Sequence, residues 1–233
     1  MVRSLRYAAF IAALVPLFFC VPRAHAAESS LLDALSRQAP RVDPNVLGLA
    51  LKAADCAVAS GLPASDRLAV IDYSRPSTEP RLWVFDLTRR RLLFNELVAH
   101  GRNSGENMAT KFSNRPDSFE SSLGLFRTLN TYDGKNGYSL RMNGLEPGVN
   151  DRAFDRALVI HGATYVNGQM ASRQGRLGRS EGCPAVRPAV AHRLIDTLKE
   201  GQYVFSYYPD RRWLGGSRYL KCDATGGQVA KAP

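Results

Sequence analysis

Cys183 and His161 are the two residues whose types and setting suit covalent chemistry. A cysteine thiolate is a strong nucleophile, and a histidine held nearby can draw off the thiol proton. Cys183 sits in the run Ser180-Glu181-Gly182-Cys183-Pro184. Gly182 permits backbone angles that a side chain forbids. Pro184 suits a sharp bend or the first turn of a helix. A thiol on such a turn is exposed, and the backbone N–H groups around Gly182 and Cys183 can face a developing oxyanion. A cysteine taken alone is more often a small buried hydrophobe. Here glycine flanks it, Arg173, Arg176 and Arg179 precede it, and a histidine ends the apolar run 157–160 upstream. Zinc does not fit, because one Cys and one His cannot fill a tetrahedral shell and the chain has no Cys-x-x-Cys.

The elements that must position this pair can be read from periodicity. Residues 157–160 are apolar and partly β-branched, which predicts a buried strand with His161 at its end. A Gly- and Arg-rich loop covers 168–179. Beyond the cysteine, 188–200 is helical, with Val190, Leu194, Ile195 and Leu198 on one face, and Gly201 stops it. Residues 202–208 read as a closing strand. Earlier in the chain, 68–73, 80–87 and 92–100 alternate like strands, the last two joined by the polar turn 88–91 into a hairpin. His100 ends the third of these. The long polar segment 101–122 follows, either as a wall of the substrate cleft or as a loop that His100 hydrogen-bonds into place. Short strands at 123–129 and 138–142 flank a turn at 133–137. Two helices come first, at 28–38 and from the N-cap Asp43 with Pro44 to Gly61. The fold class is therefore mainly β with flanking helices (α+β), a mixed β sandwich or open barrel.

The first 26 residues read as an export signal. Arg3 and Arg6 precede an apolar stretch at 7–21, and Ala24-His25-Ala26 fits cleavage after Ala26. The stretch is too short for a comfortable membrane span. Cys20 follows Phe18 and Phe19, which are too bulky for a lipoprotein signal. The expected segments are 1–26 as leader, 27–62 as helices, 63–210 as the catalytic domain and 211–233 as a tail whose end is disordered. Cleavage takes three arginines from a net charge of +10, leaving a basic chain of about 207 residues with no stable membrane insertion. Such a chain favours acidic polymers, although most of its arginines suit an ordinary soluble surface. No basic block with interleaved aromatics points to nucleic acid.

Several of these stretches together resemble one family. His161-Gly162, a loop and Ser180-x-Gly182-Cys183 look like the signature of the L,D-transpeptidases, the YkuD-type domain. His100-Gly-Arg-Asn-Ser-Gly105, Phe112-Ser-Asn114, Ser121-Ser-Leu-Gly124, Tyr138-Ser-Leu140, Asn143-Gly-Leu145 and the run from Gly175 to Pro184 look like its divergent murein L,D-transpeptidase branch. The likeness spans roughly residues 65 to 210. The chain departs at Glu181, where better-known members carry His, and at Ala185, where they carry Arg or Asn. Nucleophile and base are intact, and the departures bear on how substrate is held.

The resemblance implies an exported cysteine enzyme that needs no metal or organic cofactor and acts on peptidoglycan stem peptides. Cys183 would attack a carbonyl of the third stem residue, D-alanine would leave, and His161 would carry the proton. A backbone carbonyl near Gly162 would orient the imidazole, and Arg179 or Arg187 would hold a substrate carboxylate, with Ser180 and His100 also lining the substrate. The resulting thioester passes to an amine or to water. An L,D-carboxypeptidase, a cross-link hydrolase and a non-catalytic envelope-binding protein are the alternatives. Cys56, Cys183 and Cys222 remain after cleavage. Keeping Cys183 free for catalysis pairs Cys56 with Cys222, the alternative being two unpaired buried thiols.

Overall fold

The structure is a computed structural model that describes residues 23–222. Residues 1–22 of the expected leader, including Cys20, and the expected disordered end of the tail lie outside the described residues.

Eight strands form one sheet in the order β3-β2-β1-β8-β4-β5-β6-β7. They are β1 (Arg67–Asp72), β2 (Leu82–Asp86), β3 (Arg91–Glu96), β4 (Gly124–Gly134), β5 (Gly137–Gly144), β6 (Val159–Gly162), β7 (Ala185–Val186) and β8 (Tyr203–Tyr207). The β1–β8 and β6–β7 pairs are parallel and the others antiparallel. The central strands β1, β2 and β8 are buried along almost their whole length, as their apolar β-branched and aromatic residues dictate. The two outer edges meet: Ala99, just past β3, bridges Ala185 on β7, with its N–H donating to Ala185 O at 2.9 Å. The sheet is thus a nearly closed barrel, which leaves few unpaired edge groups.

Six helices flank it. The pair α1 (Arg23–Gln38) and α2 (Pro44–Ala59) opens the described chain. Asp43 caps α2, its carboxylate accepting from Asn45 N–H at 2.8 Å. The Ala-rich face of α2 is fully buried against β1, β8 and β4. The helix α4 (Pro188–Leu198) touches β6, β5 and also β1, strands far apart in the sheet order; only a curled sheet lets one short helix reach them all.

Three local readings change. The loop predicted over 168–179 holds a short helix, α3 (Gly168–Gln174), capped by Asn167, whose side chain accepts from Gln169 and Met170. Seven residues rich in Gly, Gln, Ser and Arg carry no apolar period to announce it. The third strand ends at Glu96, so His100 lies past the regular ladder, reached through the Ala99 bridge. The segment from Pro209 makes two more helices, α5 (Arg211–Gly216) and α6 (Arg218–Lys221). Trp213 anchors the first of them by stacking near Phe205 and donating to Glu146 at 3.1 Å.

Candidate active site

The turn that carries Cys183 is folded by its own side chains. Gly182 has φ +124°, a conformation that favours glycine. A Cβ there would lie 2.8 Å from Glu120 O and 3.0 Å from Leu158. Ser180 is buried; its hydroxyl accepts from Gly182 N–H at 3.1 Å and donates to Cys183 O at 2.6 Å. Ser121 reaches across from the 101–122 segment, accepting from Gly101 N–H and donating to Gly182 O, both at 3.0 Å. Every one of these bonds fixes the angle at which Cys183 leaves the turn. Pro184 leads into β7, not into a helix, so no helix N-terminus stands behind the thiol.

The thiol is free, partly exposed as a residue, and packed at its sulfur. Sγ accepts from Val159 N–H at 3.4 Å and donates to Ala157 O at 3.7 Å. Burial pushes the Cys183 thiol up from its ordinary value; the Val159 N–H and the Arg156 guanidinium pull it down, and Glu181 raises it further.

β6 and β7 run parallel with His161 opposite Ala185, so Cys183 lies two residues ahead of His161's partner. His161 is buried, and its Nδ1 lies 3.0 Å from Gly162 O. A carbonyl oxygen only accepts, so Nδ1 carries the proton and Nε2 is the lone-pair nitrogen of the neutral ring. Burial holds the His161 pKa below its ordinary value, partly offset by the Gly162 bond. Among the described residues no hydrogen bond joins His161 to Cys183; catalytic hydrogen bonds commonly tighten only around substrate.

The other expected site residues are placed as follows. His100 is fully buried, and both ring nitrogens are engaged: Nδ1 accepts from Arg81 at 2.7 Å, and Nε2 donates to Gly105 O at 3.3 Å. Of its two expected roles, this is the geometry of a loop anchor. Burial and then the Arg81 charge lower its pKa to about 4. Arg179 donates to the Gly105 and Arg102 carbonyls and pairs with Glu106 at 2.7 Å. Arg187 forms a forked pair with Glu96, at 2.9 and 2.8 Å, beside a cavity of about 880 Å³ that Asn95, Asn167 and Gln169 also line. Cys183 is not among the residues lining that cavity. Cys56 and Cys222 are joined as a disulfide with Cα atoms 5.9 Å apart, tying α2 to the end of α6.

Three residues around the thiol carried no signal in the sequence. Arg156 comes from the turn before β6, and Tyr165 from the loop after it. Burial pushes the Tyr165 phenol up to about 12, helped by the nearby Cys183 and Glu181. Tyr73, at the end of β1, is likewise raised to about 12 by burial and stands under the Arg81 guanidinium, 5.1 Å from ring centroid to Cζ. Each is one Arg or Tyr among many, brought to the site by long-range packing alone.

Residues 38–207 match the family model described as L,D-transpeptidase catalytic domain. Among curated proteins none matches the sequence. Solved structures similar to this chain include an L,D-transpeptidase from Mycobacterium smegmatis, 15% identical, with a TM-score of 0.39. That match covers 62% of this chain and 60% of that one, so the chain spans about three fifths of that relative's length. An L,D-transpeptidase (Yku) from Stackebrandtia nassauensis is 13% identical, with a TM-score of 0.38, over 79% of this chain and 92% of that one. L,D-transpeptidase 3 from Mycobacterium tuberculosis is 12% identical, with a TM-score of 0.36, over 62% of each chain.

Proposed function

The chain belongs to the L,D-transpeptidase catalytic domain family, and on that premise we propose that it is an exported cysteine transpeptidase acting on peptidoglycan stem peptides. What carries the reading is His161: its Nδ1 is tied to Gly162 O, which leaves Nε2 as the base on the strand beside the one free thiol of the described residues. His161 Nε2 takes the Cys183 proton as the sulfur attacks the carbonyl carbon of the third stem residue. The S–C bond forms, the C–N bond to D-alanine breaks, and the imidazolium returns its proton to the leaving amine. The acceptor's amine then attacks the thioester carbonyl as His161 takes its proton, the new C–N bond forms and the C–S bond breaks, and the imidazolium returns that proton to the departing sulfur.

The oxyanion needs backbone donors. Gly182 N–H is engaged by Ser180 Oγ, so the amide of Cys183 itself is the first candidate and Gly182 contributes through the shape of the turn. Arg187 beside its cavity and Arg179 above the nucleophile loop are the candidates to hold a substrate carboxylate. For either to do so, the ligand must share or displace an existing acidic partner, Glu96 or Glu106.

The test is incubation of the mature protein, beside Cys183→Ala, with disaccharide-tetrapeptides, read by mass spectrometry. Cross-linked dimers with loss of D-alanine, absent from the variant, are expected. Tripeptides without dimers would mark a carboxypeptidase. No change in either sample, with cross-linked murein also left intact, would sink the enzymatic reading in favour of envelope binding.

A further inference from the structure

The Arg156 guanidinium is the least conventional feature near the thiol. Its Nη1 donates to Ser113 O and Ser122 Oγ, both at 2.6 Å, and its Nη2 donates to Glu120 O at 2.6 Å and Ser118 Oγ at 3.1 Å. All four acceptors are uncharged oxygens, and among the described residues no ion pair includes Arg156. A half-buried cation held this way has no close ion-pair partner, and the Glu120 carboxylate acts on it only from farther off. Its place relative to the nucleophile is fixed from two sides. Nη2 lies 3.4 Å from the point a Cβ on Gly182 would occupy, against the residue immediately before Cys183. On its own strand side, the next residue, Ala157, takes φ +52°, and its carbonyl accepts from the Cys183 thiol at 3.7 Å. A non-glycine residue held in that region is strained, so the surrounding bonds must over-determine it.

We propose that Arg156 is the charge partner of the Cys183 thiolate, a positioning residue that clamps the 113–122 segment against the nucleophile turn and favours the ionised sulfur through its positive charge. The inference rests on the reading of Cys183 as the nucleophile. The sulfur needs such a partner because burial raises its pKa and no helix N-terminus lies behind it. The groups that act on it from the packed elements are Arg156 from the turn before β6, Tyr165 from the loop after β6, Tyr73 from the end of β1 and Glu181 from its own turn; His161 stands on the neighbouring strand β6, and Glu120 of the clamped segment acts on Arg156. Of these, Arg156 is the one side chain with a permanent positive charge. Glu181 opposes it from solvent, where Arg102 partly neutralises it at 3.6 Å.

The experiment is alkylation of the mature chain from residue 27 onward, which lacks Cys20, against pH, with Cys56 and Cys222 left oxidised so that Cys183 alone reacts. Arg156→Gln should react with iodoacetamide roughly tenfold more slowly near neutral pH, from a thiol pKa raised by about one unit, and reach the same plateau at high pH. Arg156→Lys should restore most of the neutral rate. A purely structural clamp gives the opposite pattern: an altered plateau with an unchanged midpoint, and that outcome overturns the proposal. A second measurement needs no variant. The ratio of iodoacetate to iodoacetamide rates on the wild-type thiol should exceed that of glutathione several-fold, because a local cation attracts the anionic reagent. A ratio at or below glutathione's also overturns it. Neither readout uses a wall substrate, so a protein that shows the charge effect but no turnover sinks the functional reading and leaves this one standing.

Discussion

Two His-Gly dipeptides end apolar runs in this chain, His100-Gly101 and His161-Gly162, and they differ in a single respect that decides their chemistry. Both rings are buried, and both are held toward the neutral form by that burial. His100 has both nitrogens bonded, one to a cation and one to a loop carbonyl. His161 has Nδ1 bonded to its neighbour's carbonyl, which leaves Nε2 as its lone-pair nitrogen. A saturated histidine is a rivet, whereas a half-saturated one is a base with its tautomer already chosen. The first also serves the second, since its backbone stitches the nucleophile loop: Ser180 N–H donates to His100 O at 2.9 Å, and Arg102 N–H donates to Ser180 O at 2.8 Å.

Substitutions should separate the two. His161→Ala is expected to lower turnover by roughly 10²–10⁴-fold at equal folded fraction, as for loss of a general base. Comparable losses of turnover from His100→Ala and His161→Ala, at equal folded fraction, would erase the distinction. His100→Ala should instead cost about 2–4 kcal/mol of stability, read by urea unfolding, because it strips a buried cation of an acceptor and leaves a cavity.

His100 should also write itself into acid stability. The unfolded ring takes a proton near its ordinary 6.5, the folded ring only at about 4, so the unfolded state binds more protons between those values. Stability is then complete above about pH 6.5 and falls as the pH drops toward 4, by about 3 kcal/mol in all. The same titration on His100→Ala should be flatter, and an unchanged slope would assign the acid loss elsewhere. The smallest expected effect belongs to Glu181→Gln. Removing that exposed charge should speed Cys183 alkylation about twofold near neutral pH, since an exposed charge is well screened.

The barrel strands were legible because apolar alternation is a local property, and β1, β2 and β8 fall where it puts them, whereas β6 starts at Val159, two residues into the apolar run, because Ala157 turns at φ +52°. The helix pair was legible from Asp43-Pro44 and from the alanine face of α2. α3, α5 and α6 were not, since each is too short to complete an apolar period. Within the site, Cys183 and His161 stood out because glycines and a strand end surround them. Arg187 was visible, but its partner Glu96 lies 91 residues away and no local pattern connects them. Arg156 was invisible for the same reason: its role exists only once a segment some 40 residues upstream folds back over it. Ser180 was expected to line the substrate, and its hydroxyl bridges two backbone groups of its own turn, a use that spacing alone does not reveal.

The bond between Cys56 and Cys222 has a consequence for how the molecule is made. It spans 166 residues, so it closes almost the whole described chain and is the last pairing that can form as the polypeptide emerges N-terminus first. In an oxidising compartment Cys56 meets Cys183 before Cys222 has arrived, and a bridge between those two would block the proposed nucleophile. The native product therefore depends on a race. Either the barrel closes around Cys183 before it is captured, or thiol–disulfide exchange releases it afterwards. The reactivity proposed for Cys183 is the same property that exposes the nascent chain to mispairing, and the order of its cysteines makes maturation a matter of timing.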